Sequence, residues 1–164
     1  MKTLYLVRHA KSSWDDPLLD DFSRPLNARG KRDAPTMGKR LKEKRVLLDL
    51  ILSSPAERAI ATAREIARIL SCGEHKIKTL PELYHASPEK IMEVLKQTSD
   101  KVDKLMLVGH NPGLTEFIDS LTELDIDNVP TCGIAGFKLN IISWKALEMK
   151  EETLLFYDYP KSRK

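Results

Sequence analysis

Thr3-Leu4-Tyr5-Leu6-Val7-Arg8-His9-Ala10 is the stretch from which the fold can be read. The apolar residues from Leu4 to Val7 run without a break and stop abruptly at an arginine and a histidine. A short continuous apolar run suits a strand buried on both faces, as in a parallel sheet. Open α/β sheets bind ligands just beyond the carboxyl ends of their strands. The strand therefore lifts Arg8 and His9 out of the core at the place where a ligand would sit. The pattern returns in Leu105-Met106-Leu107-Val108-Gly109-His110. If the two strands are parallel neighbours, the two imidazoles face each other across one pocket.

The segments around these strands alternate between strand and helix signals. Asn27 is placed to cap a helix that lasts to about Lys44, with Ala34, Met37, Gly38 and Leu41 as its apolar stripe. Pro35 lies inside that stripe and should kink the helix or delay its start. Leu50-Ile51-Leu52 is a second strand, and Ser53-Ser54-Pro55-Ala56-Glu57-Arg58 then opens a helix. Ser54 fits the N-cap, Pro55 the first helical position, and Glu57 completes a capping box. Ala59, Ala63, Ile66, Ala67 and Leu70 form the buried side of that helix, and Cys72-Gly73 ends it. Arg58 falls in the first turn, where free N–H groups and the macrodipole attract anions.

A short strand over 77–80 precedes Pro81-Glu82-Leu83-Tyr84, and Ser87-Pro88-Glu89 starts a helix that buries Ile91, Met92 and Leu95. After His110, Asn111-Pro112-Gly113 repeats the cap-then-proline signal ahead of Leu114, Phe117, Ile118 and Leu121. Residues 134–140 and 153–157 read as a hairpin-like pair of strands at one sheet edge, with Trp144 and Leu147 packed in the connection. The alternation indicates one domain over 1–164, an α/β three-layer sandwich with a mostly parallel central sheet and helices on both faces.

At 164 residues, with 41% apolar and 31% charged residues, the chain fills one core. A net charge of +3, from 27 basic and 24 acidic residues, implies no large field seeking nucleic acid. The basic run Lys39, Arg40, Lys42, Lys44, Arg45 reads as a solvated helix face, as does the tail Lys161, Arg163, Lys164. Asp15, Asp16, Asp20 and Asp21 read as a solvated loop rather than a metal site. His75 and His85 read as surface residues. Cys72 and Cys132 lack metal-ligand spacing and are expected as free thiols in a reducing cytoplasm. No signal peptide is expected, and no apolar run approaches the roughly 18 residues that span a membrane. The chain is expected to act as a cytoplasmic monomer without contact to nucleic acid or membrane.

Three strand ends thus offer Arg8 with His9, Arg58, and His110. Two guanidiniums and two imidazoles at strand ends and helix starts make a site for a dianion, phosphate above all, since arginine binds its oxygens bidentately. A pure binding pocket needs arginines but hardly two histidines. Imidazole is a competent nucleophile, and a phospho-imidazole splits one hard hydrolysis into two easier steps.

Leu6-Val7-Arg8-His9-Ala10, Ser53-Ser54-Pro55-Ala56-Glu57-Arg58-Ala59 and Val108-Gly109-His110-Asn111-Pro112 look like the three signature segments of the histidine phosphatase (phosphoglycerate mutase-like) superfamily. Arg24-Pro25-Leu26-Asn27-x-x-Gly30 and the short chain resemble its SixA-like phosphohistidine phosphatase branch. The resemblance implies a nucleophilic His9, phosphate held by Arg8 and Arg58, and His110 contacting the transferring phosphoryl group. Arg24 would add a phosphate or substrate contact. For the proton donor, one branch uses an aspartate directly after the second histidine, where this chain has Asn111. Another uses a glutamate in a Leu-x-Glu setting, which Leu80-Pro81-Glu82 resembles. Glu82 is therefore a candidate general acid or a loop carboxylate paired with an arginine, and SixA-like enzymes often lack an effective donor.

The expectation is a hydrolase that needs neither metal nor cofactor and acts through phospho-His9, with phosphohistidine on a protein as its substrate. The rivals are a phosphatase for a small sugar or nucleotide phosphate ester, and a phosphate-binding module without turnover.

Overall fold

The computed structural model describes residues 1–163. Its strands are β1 (Lys2–Arg8), β2 (Leu50–Ser53), β3 (Ile77–Thr79), β4 (Lys104–Gly109), β5 (Ile134–Leu139) and β6 (Thr153–Asp158). They form one sheet in the order β3-β2-β4-β1-β5-β6. β1 runs parallel to β4, with Leu6 opposite Leu107 and Arg8 opposite Gly109. That register brings His9 and His110 out at the same edge, and the His9 N–H donates to the Gly109 carbonyl at 3.1 Å. β2 is parallel to β4 on the other side, β3 is parallel to β2, and β5 and β6 add antiparallel at the far edge, as the sequence pattern implied.

Four helices cover the sheet: α1 (Ala28–Glu43), α2 (Glu57–Ile69), α3 (Pro88–Lys96) and α4 (Gly113–Leu121). Leu4, Leu6, Leu105 and Leu107 pack beneath α3 and α4, whereas Tyr5, Val7, Met106 and Val108 pack beneath α1 and α2. Alternate residues of a strand point to opposite faces, so a strand with helices on both faces must be apolar at every position. This is why the runs at 4–7 and 105–108 are unbroken.

Several local expectations fail for identifiable reasons. α1 starts directly after Asn27, whose side chain accepts from the Gly30 N–H at 2.8 Å, so Pro35 does not delay it. The Ser54 capping box does not form: α2 begins at Glu57 with Ala56 at its cap and no side-chain cap bond. α4 likewise has Pro112 at its cap, while the Asn111 Oδ1 accepts from the Thr115 N–H and hydroxyl one turn on. Arg40 does not belong to a solvated face. It is buried, ion-paired with Asp158 at 3.2 Å, and donates to the Tyr159 and Pro160 carbonyls, which pins the chain end onto α1. Lys39, Lys42, Lys44, Arg45, Lys161 and Arg163 are exposed as expected, and Lys164 lies outside the described residues. No helix among the described residues is long and apolar enough to cross a membrane.

Two glycines permit backbone contacts that bring loops to the cleft end of the sheet. A Cβ at Gly30 would lie 2.2 Å from the Lys11 carbonyl oxygen, and one at Gly113 would lie 1.9 Å from that of Ala86. The second contact seats the 84–87 turn on the start of α4. Gly113→Ala should therefore force the two apart and cost about 1–3 kcal/mol. Chemical denaturation should show a lower midpoint with an unchanged slope, and an unmoved midpoint would contradict the packing.

Candidate active site

At the carboxyl ends of β1, β2 and β4 a cleft of about 290 Å³ is lined by Arg8, His9, Arg24, Arg58 and His110, with Asp21 and His85 at its side. The deepest of these is Arg58, on the first turn of α2 and 2% exposed. Its Nε donates to the His9 Nε2 at 3.3 Å, and its Nη2 lies 3.3 Å from the His110 Nδ1. Nη1 donates to the Asp21 carbonyl at 2.6 Å, and Nη2 also reaches the Asp21 Oδ2 at 2.9 Å.

These contacts settle the tautomers. The His9 Nδ1 lies 2.8 Å from the Ala10 carbonyl, which only an N–H can approach in this way, so Nε2 carries the lone pair and faces Arg58. The Ala10 peptide is itself held, because its N–H donates to the Thr62 hydroxyl at 2.9 Å and that hydroxyl donates to the Arg58 carbonyl. His110 is the reverse: Nδ1 accepts from Arg58, so Nε2 bears the proton and donates to the Ser54 hydroxyl at 2.7 Å. Ser54, expected as a helix cap, thus orients the second imidazole. The two rings stand 5.0 Å apart.

Both imidazoles are held neutral. Burial pushes His9 down to about 3, and the charges of Arg58, Arg8 and Arg24 push the same way against the bond to Ala10. Burial, then His9 and Arg58, lower His110 to about 2. Arg8 donates to the Val129 carbonyl at 2.9 Å, and burial followed by the Arg58 charge lowers its affinity for its proton. The Arg24 guanidinium carbon lies over the Trp14 ring, 3.4 Å from its centre, and Arg24 pairs with the Asp21 Oδ1 at 3.0 Å. The Arg8 Nε and the Arg24 Nε and Nη1 are buried without hydrogen-bond partners among the described residues. Unpartnered buried donors of this kind are costly, and an oxyanion against these arginines would satisfy them.

Asp21 is the site residue that the sequence concealed. It begins a 3-10 turn, Asp21–Ser23, and its carboxylate accepts from Arg58, Arg24, the Tyr84 hydroxyl at 2.6 Å and His85 at 3.0 Å. Burial works to raise its pKa, but the bonds from Tyr84, His85 and Arg58 outweigh this and hold the carboxyl well below the usual range. The one available signal was its position three residues before Arg24. His85, expected at the surface, is half exposed yet lines the cleft, with its ring 4.9 Å from that of His110.

Of the residues singled out in the sequence, Arg8, His9, Arg24, Arg58 and His110 are brought together. Glu82 is not. Its side chain is exposed, makes no hydrogen bond or ion pair among the described residues, and borders a different hollow with Leu50, Leu52 and Val94. The reason is the 3-10 turn Pro81–Leu83, which buries Leu83 and so turns Glu82 away from the strand ends.

The model of the histidine phosphatase superfamily (branch 1) matches residues 4–90. An uncharacterised protein of Mycobacterium leprae is 30% identical over 168 residues, covering 94% of this chain and 100% of its own. The candidate phosphohistidine phosphatase SixA of Agrobacterium tumefaciens superposes with a TM-score of 0.82 at 28% identity, over 97% of this chain and 98% of that one. A protein histidine phosphatase SixA solved with tungstate superposes with a TM-score of 0.80 at 22% identity, over 98% of each chain.

Binding of a dianion should change the charge of this site. Burial, then His9 and Arg58, keep His110 neutral, and a doubly negative oxyanion beside it raises its pKa, while the His9 Nε2 keeps its lone pair. Titration with tungstate or phosphate at pH 7 should therefore take up protons. Calorimetry in two buffers of different ionisation enthalpy should show this as a buffer-dependent heat, and identical heats would contradict it.

Proposed function

The chain belongs to the histidine phosphatase superfamily, branch 1, and on that premise we propose that it is a metal-independent phosphatase that carries the phosphoryl group on His9 Nε2. The observation that carries the reading is the orientation of His9, with Nδ1–H tied to the Ala10 carbonyl and a neutral Nε2 aimed among three guanidiniums. A nucleophilic nitrogen is useful only with its lone pair free, and burial among cations keeps it so.

In this reading Arg8, Arg24 and Arg58 bind the three non-bridging oxygens and His110 adds a contact from the opposite wall. Nε2 attacks phosphorus as the bond to the leaving atom breaks, and Arg58, which donates to Nε2 beforehand, turns its N–H groups to the phosphoryl oxygens. The spread of charge over those oxygens is met by donors already in place. Water then attacks phospho-His9, releasing phosphate. The positive side chains supply the charge that a metal supplies elsewhere.

For the substrate we favour phosphohistidine on a protein. Supporting this are the two SixA proteins it superposes on and the loop beside the cleft, which presents Trp14, Leu18 and Phe22 at 72%, 92% and 40% exposure. A phosphoprotein surface can cover such residues, whereas a small ester would leave them bare. The same proposal places the chain as a monomer in the cytoplasm, where Cys72 and Cys132 stay free thiols.

Rapid quenching during turnover of labelled substrate should leave an acid-labile, base-stable phosphate on the peptide bearing His9, and activity should survive EDTA. Label on Ser12 or Ser13, full activity in His9→Ala, or a requirement for added magnesium or zinc would overturn the mechanism. Arg58→Lys keeps the charge but loses the fork that reaches both histidines and Asp21, so its kcat should fall roughly 10²–10³-fold. A rate equal to wild type would remove Arg58 from the transition state.

A further inference from the structure

We propose that His85, held by the Asp21 carboxylate, is the general acid that protonates the leaving group and the general base that afterwards activates water. The assignment rests on the phosphatase reading and answers a question that reading leaves open, because Glu82 stands outside the cleft.

The groups lining the cleft leave no other candidate. The arginines keep their protons under all ordinary conditions. His9 is the nucleophile, and the one proton of His110 is committed to Ser54. Asp21 is clamped as a carboxylate by Arg58, Arg24 and Tyr84. Asn111 stands where an acid could have been, but its amide nitrogen donates to the Asn128 Oδ1 and the Val129 carbonyl, and its oxygen accepts from Thr115. Ser12 and Thr131 are not acids. Lys11 has no hydrogen-bonded partner among the described residues to aim its ammonium.

His85 has the features that the role requires. Its Nε2 lies 3.0 Å from the Asp21 Oδ2, which fixes the ring, while Nδ1 has no partner among the described residues and is free to carry the transferable proton. Its side chain is 50% exposed, so it can regain a proton from solvent, as His9 and His110 cannot. The groups around it are Asp21 and Arg58 from two other elements, the neighbouring Tyr84 ring at 4.2 Å and the His110 ring at 4.9 Å. The His85 backbone has φ 51°, a left-handed conformation unfavourable for a residue with a Cβ. The seating of the Ala86 carbonyl against Gly113 holds it there. Such strain persists where the surrounding structure imposes it and clusters at functional sites.

The proton balance closes over one cycle. As His9 Nε2 bonds to phosphorus, the leaving atom departs with the bonding pair and takes the Nδ1 proton of the His85 imidazolium. Neutral His85 then removes a proton from the water that attacks phospho-His9. The P–N bond breaks with its pair returning to Nε2, phosphate leaves, and His85 is again an imidazolium.

The test compares wild type, His85→Gln and Glu82→Gln on 4-nitrophenyl phosphate, whose phenolate departs unaided, and phenyl phosphate, whose phenolate is far more basic. In single turnover, His85→Gln should lose roughly 10²-fold in the rate of His9 labelling by phenyl phosphate and about threefold or less in labelling by the nitrophenyl ester, while hydrolysis of phospho-His9 slows equally whichever ester supplied the phosphate. The alkaline limb of the wild-type pH profile on phenyl phosphate should vanish in His85→Gln, and Glu82→Gln should match wild type. An equal loss of labelling rate on both esters, no loss on either, or the same leaving-group pattern in Glu82→Gln would overturn the assignment. Label on His9 in wild type and variant alike keeps the phosphatase reading even then. A wild type that neither turns over the nitrophenyl ester nor becomes labelled defeats both.

Discussion

The buried guanidinium of Arg58 is the constraint on which the site depends. A charge removed from water must have its donors satisfied, and Arg58 does this by reaching four groups on three other parts of the chain. They are His9 after β1, His110 after β4, and the carbonyl and carboxylate of Asp21 on the loop before α1. The helix that supplies Arg58 follows β2, which lies beside β4. Parallel pairing is what makes this possible, because it delivers the ends of β1, β2 and β4 to one edge. An antiparallel neighbour would have sent the second imidazole to the opposite end of the sheet.

The same guanidinium sets the electrostatics. Burial makes a protonated histidine unfavourable, and the charges of Arg58, Arg8 and Arg24 add to the effect at His9, as His9 and Arg58 do at His110. Neutral rings must then be told apart by hydrogen bonding alone. The Ala10 carbonyl selects one tautomer for His9 and Ser54 selects the other for His110. One ring thereby directs a lone pair at Arg58 through Nε2 and the other through Nδ1.

What the sequence revealed and what it hid follow from the range of the interactions. Arg8, His9, Arg58 and His110 were legible because each interrupts an unbroken apolar strand or opens the helix that follows one, and strand direction alone places such residues. The layers were legible for the same reason, since residues 4–7 and 105–108 are apolar at every position. Ser54 was misread because its local pattern, Ser-Pro-x-Glu, is a genuine capping signal, while the hydroxyl finds a stronger partner 56 residues away in His110. Arg40 was misread because Asp158 and the chain end that bury it are more than a hundred residues distant. Asp21 and His85 lie on loops with no periodicity, 64 residues apart, and nothing local marks their pairing.

A phosphoryl transfer through histidine makes two demands on imidazole that conflict electrostatically. The nucleophile must stay neutral, which requires burial and neighbouring cations. The acid must hold a proton near neutral pH, which requires a carboxylate and access to water. The fold separates the two by depth. His9 and His110 lie 6% and 3% exposed under the arginines, and His85 stands half exposed at the mouth, on the Asp21 carboxylate. Asp21 belongs to both environments, because the carboxylate that holds His85 is the one that satisfies Arg24 and Arg58. A substrate dianion that draws those arginines towards its own oxygens weakens their hold on Asp21, and the carboxylate then keeps the Tyr84 hydroxyl and His85.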